Sequence, residues 1–536
     1  MRWWSGSLLA SLSILTVACQ GPASPAGDSG EEYETGEPGE GDGESGDGDG
    51  ESGDGDGDGD SGDGDGEELP EVVTVSHQFE PITLDPFEER LPCISWTIDN
   101  EQPLYVQAVT LANTGGFHHS NGFVVPESLY EGPDGVWDCK DRGFNTVEAA
   151  VQGTVLFAQS TQSYVEEQRF NPRAVIKVPP KHRVVAELHM LNLAPSEIDT
   201  ALRVSLDLIH PREVETILTP FAMQYTDLAI PPLSESRFRA ECDEYLKVAN
   251  PNQSPFLMHW MLPHYHYLGN YFGVEVIGGS LDNTMLHEIS GFTATPVGKR
   301  FDPPIDLSDA DGIRLTCGYD NWTDKIIGWG NGDQEMCILF GFVDFPLVTQ
   351  ATATSGSAIG EVDGIPTFEG SCLSLVSPKP AGHGPPTQAE LDGELYLPPL
   401  DPDDQGLPPF PPCEDTPADA VASFEPTLTK VAANLFVPGC SFSSCHGSGG
   451  GAGGLNLEGD LHAKLLGHQV VGNTDLPLID PGNPEGSWLY QRIARCEPSD
   501  KQGNVVTHMP LNAPFLLDPG LIATVRDWIS AGAPDN

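Results

Sequence analysis

Between Glu71 and Val376 the apolar residues recur in short period-two runs broken by Pro, Gly and Asn turns. Leu202, Val204, Leu206 and Leu208 alternate with Arg203, Ser205 and Asp207, the signature of a strand with one wet face. Long helical periodicity is absent from this stretch, so the fold class is mainly β. A β-rich segment of this length fits two antiparallel β-sandwich domains better than one. The Pro-rich stretch from Pro220 to Pro232 is the expected seam, giving domains 71–225 and 226–376. Residues 377–420, including Pro408-Pro409-Phe410-Pro411-Pro412, are Pro-rich and acidic and read as a stiff linker. Phe424 to Phe436 then reads as a helix opening a small all-α unit, 421–536.

Charge changes the picture at the N-terminus. Asp plus Glu number 80 against 25 Lys plus Arg, a net charge of −55, and 19 of the acids lie between Asp28 and Glu68, where no basic residue occurs. A Gly/Asp/Glu/Ser segment of this kind cannot bury enough surface to offset its conformational entropy, so residues 19–70 are expected to form a disordered acidic linker. A calcium-binding repeat would need apolar residues stacking between its turns, and these are missing. The remainder of the chain is also acidic and carries no Lys/Arg stripe, which excludes nucleic acid as a partner. No apolar run reaches the ~18 residues of a membrane helix, which excludes a polytopic membrane protein.

Arg2, the apolar stretch Leu8 to Val17 and the sequence Thr16-Val17-Ala18-Cys19 resemble a bacterial lipoprotein signal peptide, 1–18, with Cys19 as the lipidated residue; the bland alternative is an ordinary secretory signal. Either reading exports the chain. Gln20, where inner-membrane retention uses Asp, points to a lipid anchor in the outer membrane of a Gram-negative bacterium.

The histidines of the β-rich region cluster. Phe117-His118-His119-Ser120 places two imidazoles side by side, Glu187-Leu188-His189-Met190 supplies one, and Pro263-His264-Tyr265-His266 supplies two at a spacing that puts both on one face of a strand. Gln334-Glu335-Met336-Cys337 adds a thioether. Imidazole suits Cu, Zn, Fe and Ni, and a thioether shifts the preference toward copper. Taken singly, each residue reads more simply as a buried structural histidine or core methionine. In this order they resemble the copper type II, ascorbate-dependent monooxygenases, the family of peptidylglycine alpha-hydroxylating and dopamine beta-monooxygenases. The resemblance covers roughly residues 80 to 375 and implies two jelly-roll sandwiches with a copper ion on each. His118, His119 and His189 would bind the first copper, which relays electrons; His264, His266 and Met336 would bind the second and be catalytic. It also implies disulfides Cys93–Cys139, Cys242–Cys372 and Cys317–Cys337, in keeping with an oxidising compartment. Two one-electron metals suit a hydroxylation that draws two electrons from ascorbate or another one-electron reductant. His182, His210, His259 and His287 match no ligand position of the family and are expected to be structural or exposed.

Family members that hydroxylate C-terminal glycine hold the peptide carboxylate with an Arg two residues before the HxH motif and polar groups soon after the Met; here those places hold Leu262, Ile338 and Phe340. A carboxylate buried among them would lack its charge partner, so a small neutral or aromatic substrate is expected, with O2 as co-substrate.

In the tail, Cys440, Cys445 and His446 resemble c-type haem attachment, with four residues between the cysteines instead of the usual two. Gly454-Leu455-Asn456-Leu457, Pro481-Gly482-Asn483-Pro484, His508-Met509-Pro510 and Trp528-Ile529-Ser530-Ala531-Gly532-Ala533 resemble an exported cytochrome-c-like domain, which implies Met509 as the second axial ligand. The competing reading is a haemless helical module with Cys440 and Cys445 in a disulfide. Cys413 and Cys496 are left over as a possible pair. The leading functional reading is thus an exported copper monooxygenase fused to an electron-carrying haem domain, served by a periplasmic or surface electron donor. Its rivals are a copper-binding or buffering lipoprotein and a surface electron-transfer lipoprotein, both without turnover.

Overall fold

The computed structural model describes residues 71–159, 164–192, 196–266, 268–290, 298–321, 323, 325–330, 334–399, 406–407, 413–441, 446–447, 454–470, 474–510 and 516–536. The signal peptide, Cys19 and the acidic linker lie outside them. So do Cys445 and the side chains of His118 and His119.

The protein is mainly β. Its first sandwich sets two six-stranded sheets face to face. One runs Val72–Gln78, Leu202–Ile209, Leu104–Asn113, Ala174–Val178, Thr216–Ile217, with Val165–Arg169 also on Leu104–Asn113. The other runs Gly135–Trp137, Cys93–Thr97, His182–Leu191, Phe117–Pro126, Thr154–Gln159, with Glu89–Arg90 also on His182–Leu191. The alternation at Leu202–Leu208 behaves as its sequence dictates: the four aliphatic residues are buried and Arg203, Ser205 and Asp207 stand half-exposed on the other face.

The second sandwich is one curled eleven-stranded sheet. The long strand Ile365–Pro378 makes the fold-over: Thr367–Ser371 pair with Arg237–Glu241, and from Cys372 onward the strand pairs with Leu347–Ala353. Cys372 at that switch is bonded to Cys242. The sheets are not purely antiparallel. Thr219–Tyr225 runs parallel to Leu347–Ala353, and Ser234–Cys242 parallel to Ile365–Pro378, pairings open to strands joined by long connections. Because Thr219–Tyr225 is hydrogen-bonded into the second sheet, the crossing between sandwiches falls before Thr219, and the Pro-rich stretch lies inside the second sandwich.

The two sandwiches pack on each other. Trp260, Leu262 and Phe342 of the second belong to the apolar core of the first, Phe342 meets Phe170 edge-on at 4.9 Å, and Asn171 Nδ2 donates to the Phe301 carbonyl at 2.7 Å.

The Pro-rich segment after Pro378 departs from the spacer expected of it, because its polar groups find partners on the first sandwich. Lys379 Nζ donates to the Ile217 carbonyl at 2.9 Å, and Arg212 Nε donates to Leu391 O at 2.7 Å. Thr387 and Glu390 form a capping box on the short helix Gln388–Asp392. Glu390 also accepts from the Tyr105 hydroxyl at 3.0 Å and pairs with the buried Lys177 at 3.2 Å.

The tail is a small helical unit with its own core, including Phe436, Tyr490, Ile493, Val525 and Trp528. Its first helix, Leu428 to Gly439, widens into a π turn over Ala432–Phe436. Pro438, which has no N–H and crowds the preceding turn, accounts for the widening. Helices Trp488–Ala494 and Pro519–Ser530 follow, the latter capped by Asp518 with Pro in its first turn. Among the described residues no helix is long and apolar enough to cross a membrane.

Candidate metal centre

The strand Leu257–His264 lies between Ile338–Asp344 and Lys299–Asp306. Its register shifts between Met258 and Trp260, leaving His259 as the extra residue of a bulge. The bulge resets the alternation: Trp260 and Leu262 pack into the core of the first sandwich, whereas Met261 and Tyr265 pack into that of the second. His264 continues the Trp260–Leu262 face. The strand ends there, and His266 sits in the turn that follows, closed by Gly269 N donating to His266 O at 3.0 Å. Spacing along one strand is therefore not what brings the two imidazoles together; a strand end and a tight turn do.

The pair is close and half-buried. The His264 and His266 ring centres are 5.2 Å apart with planes at 85°. Two imidazoles on one ion, at metal–nitrogen bonds of about 2 Å, put their ring centres roughly 5–6 Å apart, a separation this pair matches. Burial, and secondarily His266, push the His264 pKa down to about 3. His266 is also lowered, chiefly by burial, against an opposing hydrogen bond to Gln334 and with a further lowering from His189. Both rings are thus neutral at ordinary pH, the form that binds a metal. His266 Nδ1 donates to the Gln334 carbonyl at 2.7 Å, which turns Nε2 toward a metal.

The segment of Met336 runs beside the pair, leading into the neighbouring strand Ile338–Asp344. Ile338 is the Cα partner of His264, so the residues just before it flank the imidazoles. This segment is also tied to the backbone of the turn: the fully buried Glu335 accepts from His266 N at 2.8 Å and from Leu268 N at 2.7 Å. Met336 is buried, its carbonyl accepting from the Tyr319 hydroxyl at 2.5 Å, and Cys337 beside it is bonded to Cys317. Glu335 gives no sign of this in the sequence, where it is one acid among many.

On the first sandwich His189 and His119 are directly opposed Cα partners, and Met190 pairs with Phe117, so His118 is the extra residue of a bulge. The bulge sets the backbones of both His118 and His119 against the end of the strand that carries His189. His189 Nε2 donates to Glu89 Oε1 at 2.7 Å. Among the described residues no three His, Cys, Asp or Glu side chains gather into a metal site; Met336 is of another type, and the His118 and His119 side chains are not described.

Leu262 is buried in the contact between sandwiches and Phe340 packs against it, with Phe340 edge-on to Phe342 at 5.1 Å and to Trp260 at 6.3 Å. Along its strand His264 follows Leu262 on the same face and is opposed by Ile338. Of the other histidines, His182 and His259 are buried, His210 bonds to Gly393 O at 3.1 Å, and His287 is half-buried on Met285–Ser290.

The disulfides are Cys93–Cys139, Cys242–Cys372, Cys317–Cys337 and Cys413–Cys496. In the tail Cys440 forms no disulfide among the described residues, and burial pushes its thiol up to about 12. His446 N donates to Cys440 O at 2.9 Å and His446 Nδ1 to Leu455 O at 3.0 Å, an anchoring suited to an axial ligand acting through Nε2. Met509 packs against the core of the tail.

No family model matches the chain, and no curated protein matches it. Among solved structures, the major capsid protein P2 from Bacteriophage PM2 aligns with 51% of this chain and 97% of that one at 9% identity, with a TM-score of 0.24. Infectious bursal disease virus Gx strain aligns with 52% of this chain and 72% of that one at 10% identity, with a TM-score of 0.12. Likenesses this slight carry no argument about function.

Proposed function

We propose that the protein is an exported, lipid-anchored copper monooxygenase that hydroxylates a C–H bond of a small neutral or aromatic substrate with O2 and ascorbate or another one-electron reductant. The observation that carries this reading is the pair of half-buried, neutral imidazoles 5.2 Å apart, flanked by the Met336 segment that is bonded to one of them. Copper bound there supplies one-electron chemistry toward O2. The chain's own contribution is to hold His264 and His266 neutral, to orient His266 through the Gln334 carbonyl, and to set the apolar Leu262, Phe340 and Trp260 along the face that His264 continues. His118, His119 and His189 would hold the second ion of the pair. The apolar setting supports a substrate without a carboxylate. The test is oxygen uptake by the copper-loaded full chain, screened over small aromatic and aliphatic compounds. Uptake that needs both reductant and substrate and gives a hydroxylated product is expected; two bound coppers with no such uptake would make the protein a copper buffer.

Cys440, Cys445, His446 and Met509 are proposed to hold a c-type haem that feeds electrons to the coppers. The full chain matured with haem-attachment machinery is expected to show covalent haem absorbance, lost in Cys445→Ser and His446→Ala and shifted in Met509→Ala. A colourless product would end the electron-delivery role. Anchoring rests on Cys19: Cys19→Ala is expected to move the protein from the membrane fraction to the soluble one, and retention in the membrane would contradict a lipid anchor at that residue.

A further inference from the structure

Glu89 has no part in the sequence pattern that singles out the ligands, yet its carboxylate reaches the first of the two sites. The short strand Glu89–Arg90 pairs with the end of His182–Leu191, with Leu191 opposite Glu89. His189 lies two residues from Leu191 on that strand, the diagonal position that a long side chain spans. Glu89 Oε1 meets His189 Nε2 at 2.7 Å, the length of a charge-assisted hydrogen bond.

Resting on the copper reading above, we propose that Glu89 is a positioning residue for the first copper site: by accepting from His189 Nε2 it directs the metal to Nδ1 and makes that imidazole a stronger donor. A carboxylate on the remote nitrogen fixes the tautomer and raises ligand basicity, which favours Cu(II) over Cu(I). The corresponding partner in the second site is different in kind. There His266 Nδ1 donates to a neutral carbonyl, that of Gln334. An anionic partner at one site and a neutral one at the other bias the site of His189 toward being the electron donor, adding to the preference of the Met336 thioether for Cu(I) at the other.

The probes are Cu(II) and Cu(I) ions alone, bound to the full chain and measured by chelator competition, with the first site read separately in a Met336→Ala background. Glu89→Gln keeps an oxygen that accepts from Nε2 and removes the charge. It is expected to weaken Cu(II) at the first site about tenfold while Cu(I) affinity changes little, and to alter the Cu(II) electron paramagnetic resonance of that site. Glu89→Asp keeps the charge and is expected to recover Cu(II) affinity to near that of the parent chain, which distinguishes charge from packing and serves if Glu89→Gln does not fold. Equal loss of both oxidation states in Glu89→Gln, with no recovery in Glu89→Asp, would show a purely structural role and overturn the proposal. So would copper affinities unchanged in both variants of a chain that binds two ions. A parent chain that binds no copper sensitive to His189→Ala would overturn the copper reading itself, and this inference with it.

Discussion

His264→Ala and Met336→Ala each lower reductant-dependent oxygen uptake to the rate of the copper-free chain, while bound copper falls from two ions to one. Each substitution removes a donor proposed for the second site and leaves His118, His119 and His189 unchanged. His264 sits at a strand end, on the face shared with Trp260 and Leu262, so its loss takes away a ligand without exposing the core of the second sandwich. Met336 is buried beside the Cys317–Cys337 disulfide, and alanine there removes the soft donor that distinguishes the site from three imidazoles. Copper quantitation together with an oxygen electrode checks both. A parent chain with a single metal, or with zinc in both sites after maturation with copper present, would contradict the assignment.

Glu335→Ala lowers stability by about 2–6 kcal/mol and empties the second site. The carboxylate is fully buried and accepts from His266 N and Leu268 N; alanine leaves both N–H groups buried without that partner, at about 1–3 kcal/mol for each such group. The turn carrying His266 then loses its tie to the segment of Met336, so copper at this site is released as the turn loosens. Urea unfolding of the metal-free chain measures the first effect and copper stoichiometry the second. A loss below about 0.5 kcal/mol, the range of ordinary surface substitutions, would show that the carboxylate does not hold the turn.

The strands were legible where one face is wet, as at Leu202–Leu208, because burial on one side imposes a period of two. The fold-over of Ile365–Pro378 was not, since changing partners in mid-strand depends on residues more than a hundred positions away, such as Arg237 and Cys242. The docking of the Pro-rich segment was hidden for the same reason: composition marks it as a spacer, while Tyr105, Lys177 and Arg212, which receive it, lie far upstream. At the site, the spacing of His264 and His266 told that they share a location but not how. The bulge at His259 and the turn at His266 arise from pairing with Ile338–Asp344, which no local pattern encodes. Glu89 and Glu335 were invisible because their partners are a distant imidazole and backbone N–H groups, and an acid in sequence reads as solvated.

The docked segment Lys379–Tyr396 also bears on the fused tail. With Glu390 held by Lys177 and Tyr105, the chain leaves the first sandwich, not the second, on its way to the helical unit.

The most direct measurement is the fate of the oxygen atoms. Copper-loaded full-length protein, supplied with ascorbate, 18O2 and the substrate that gives the fastest uptake, is predicted to yield a hydroxylated product carrying one 18O atom, and His264→Ala to yield none. A product labelled from water instead, or copper-dependent oxygen uptake with no oxygen entering any organic compound, would contradict a monooxygenase.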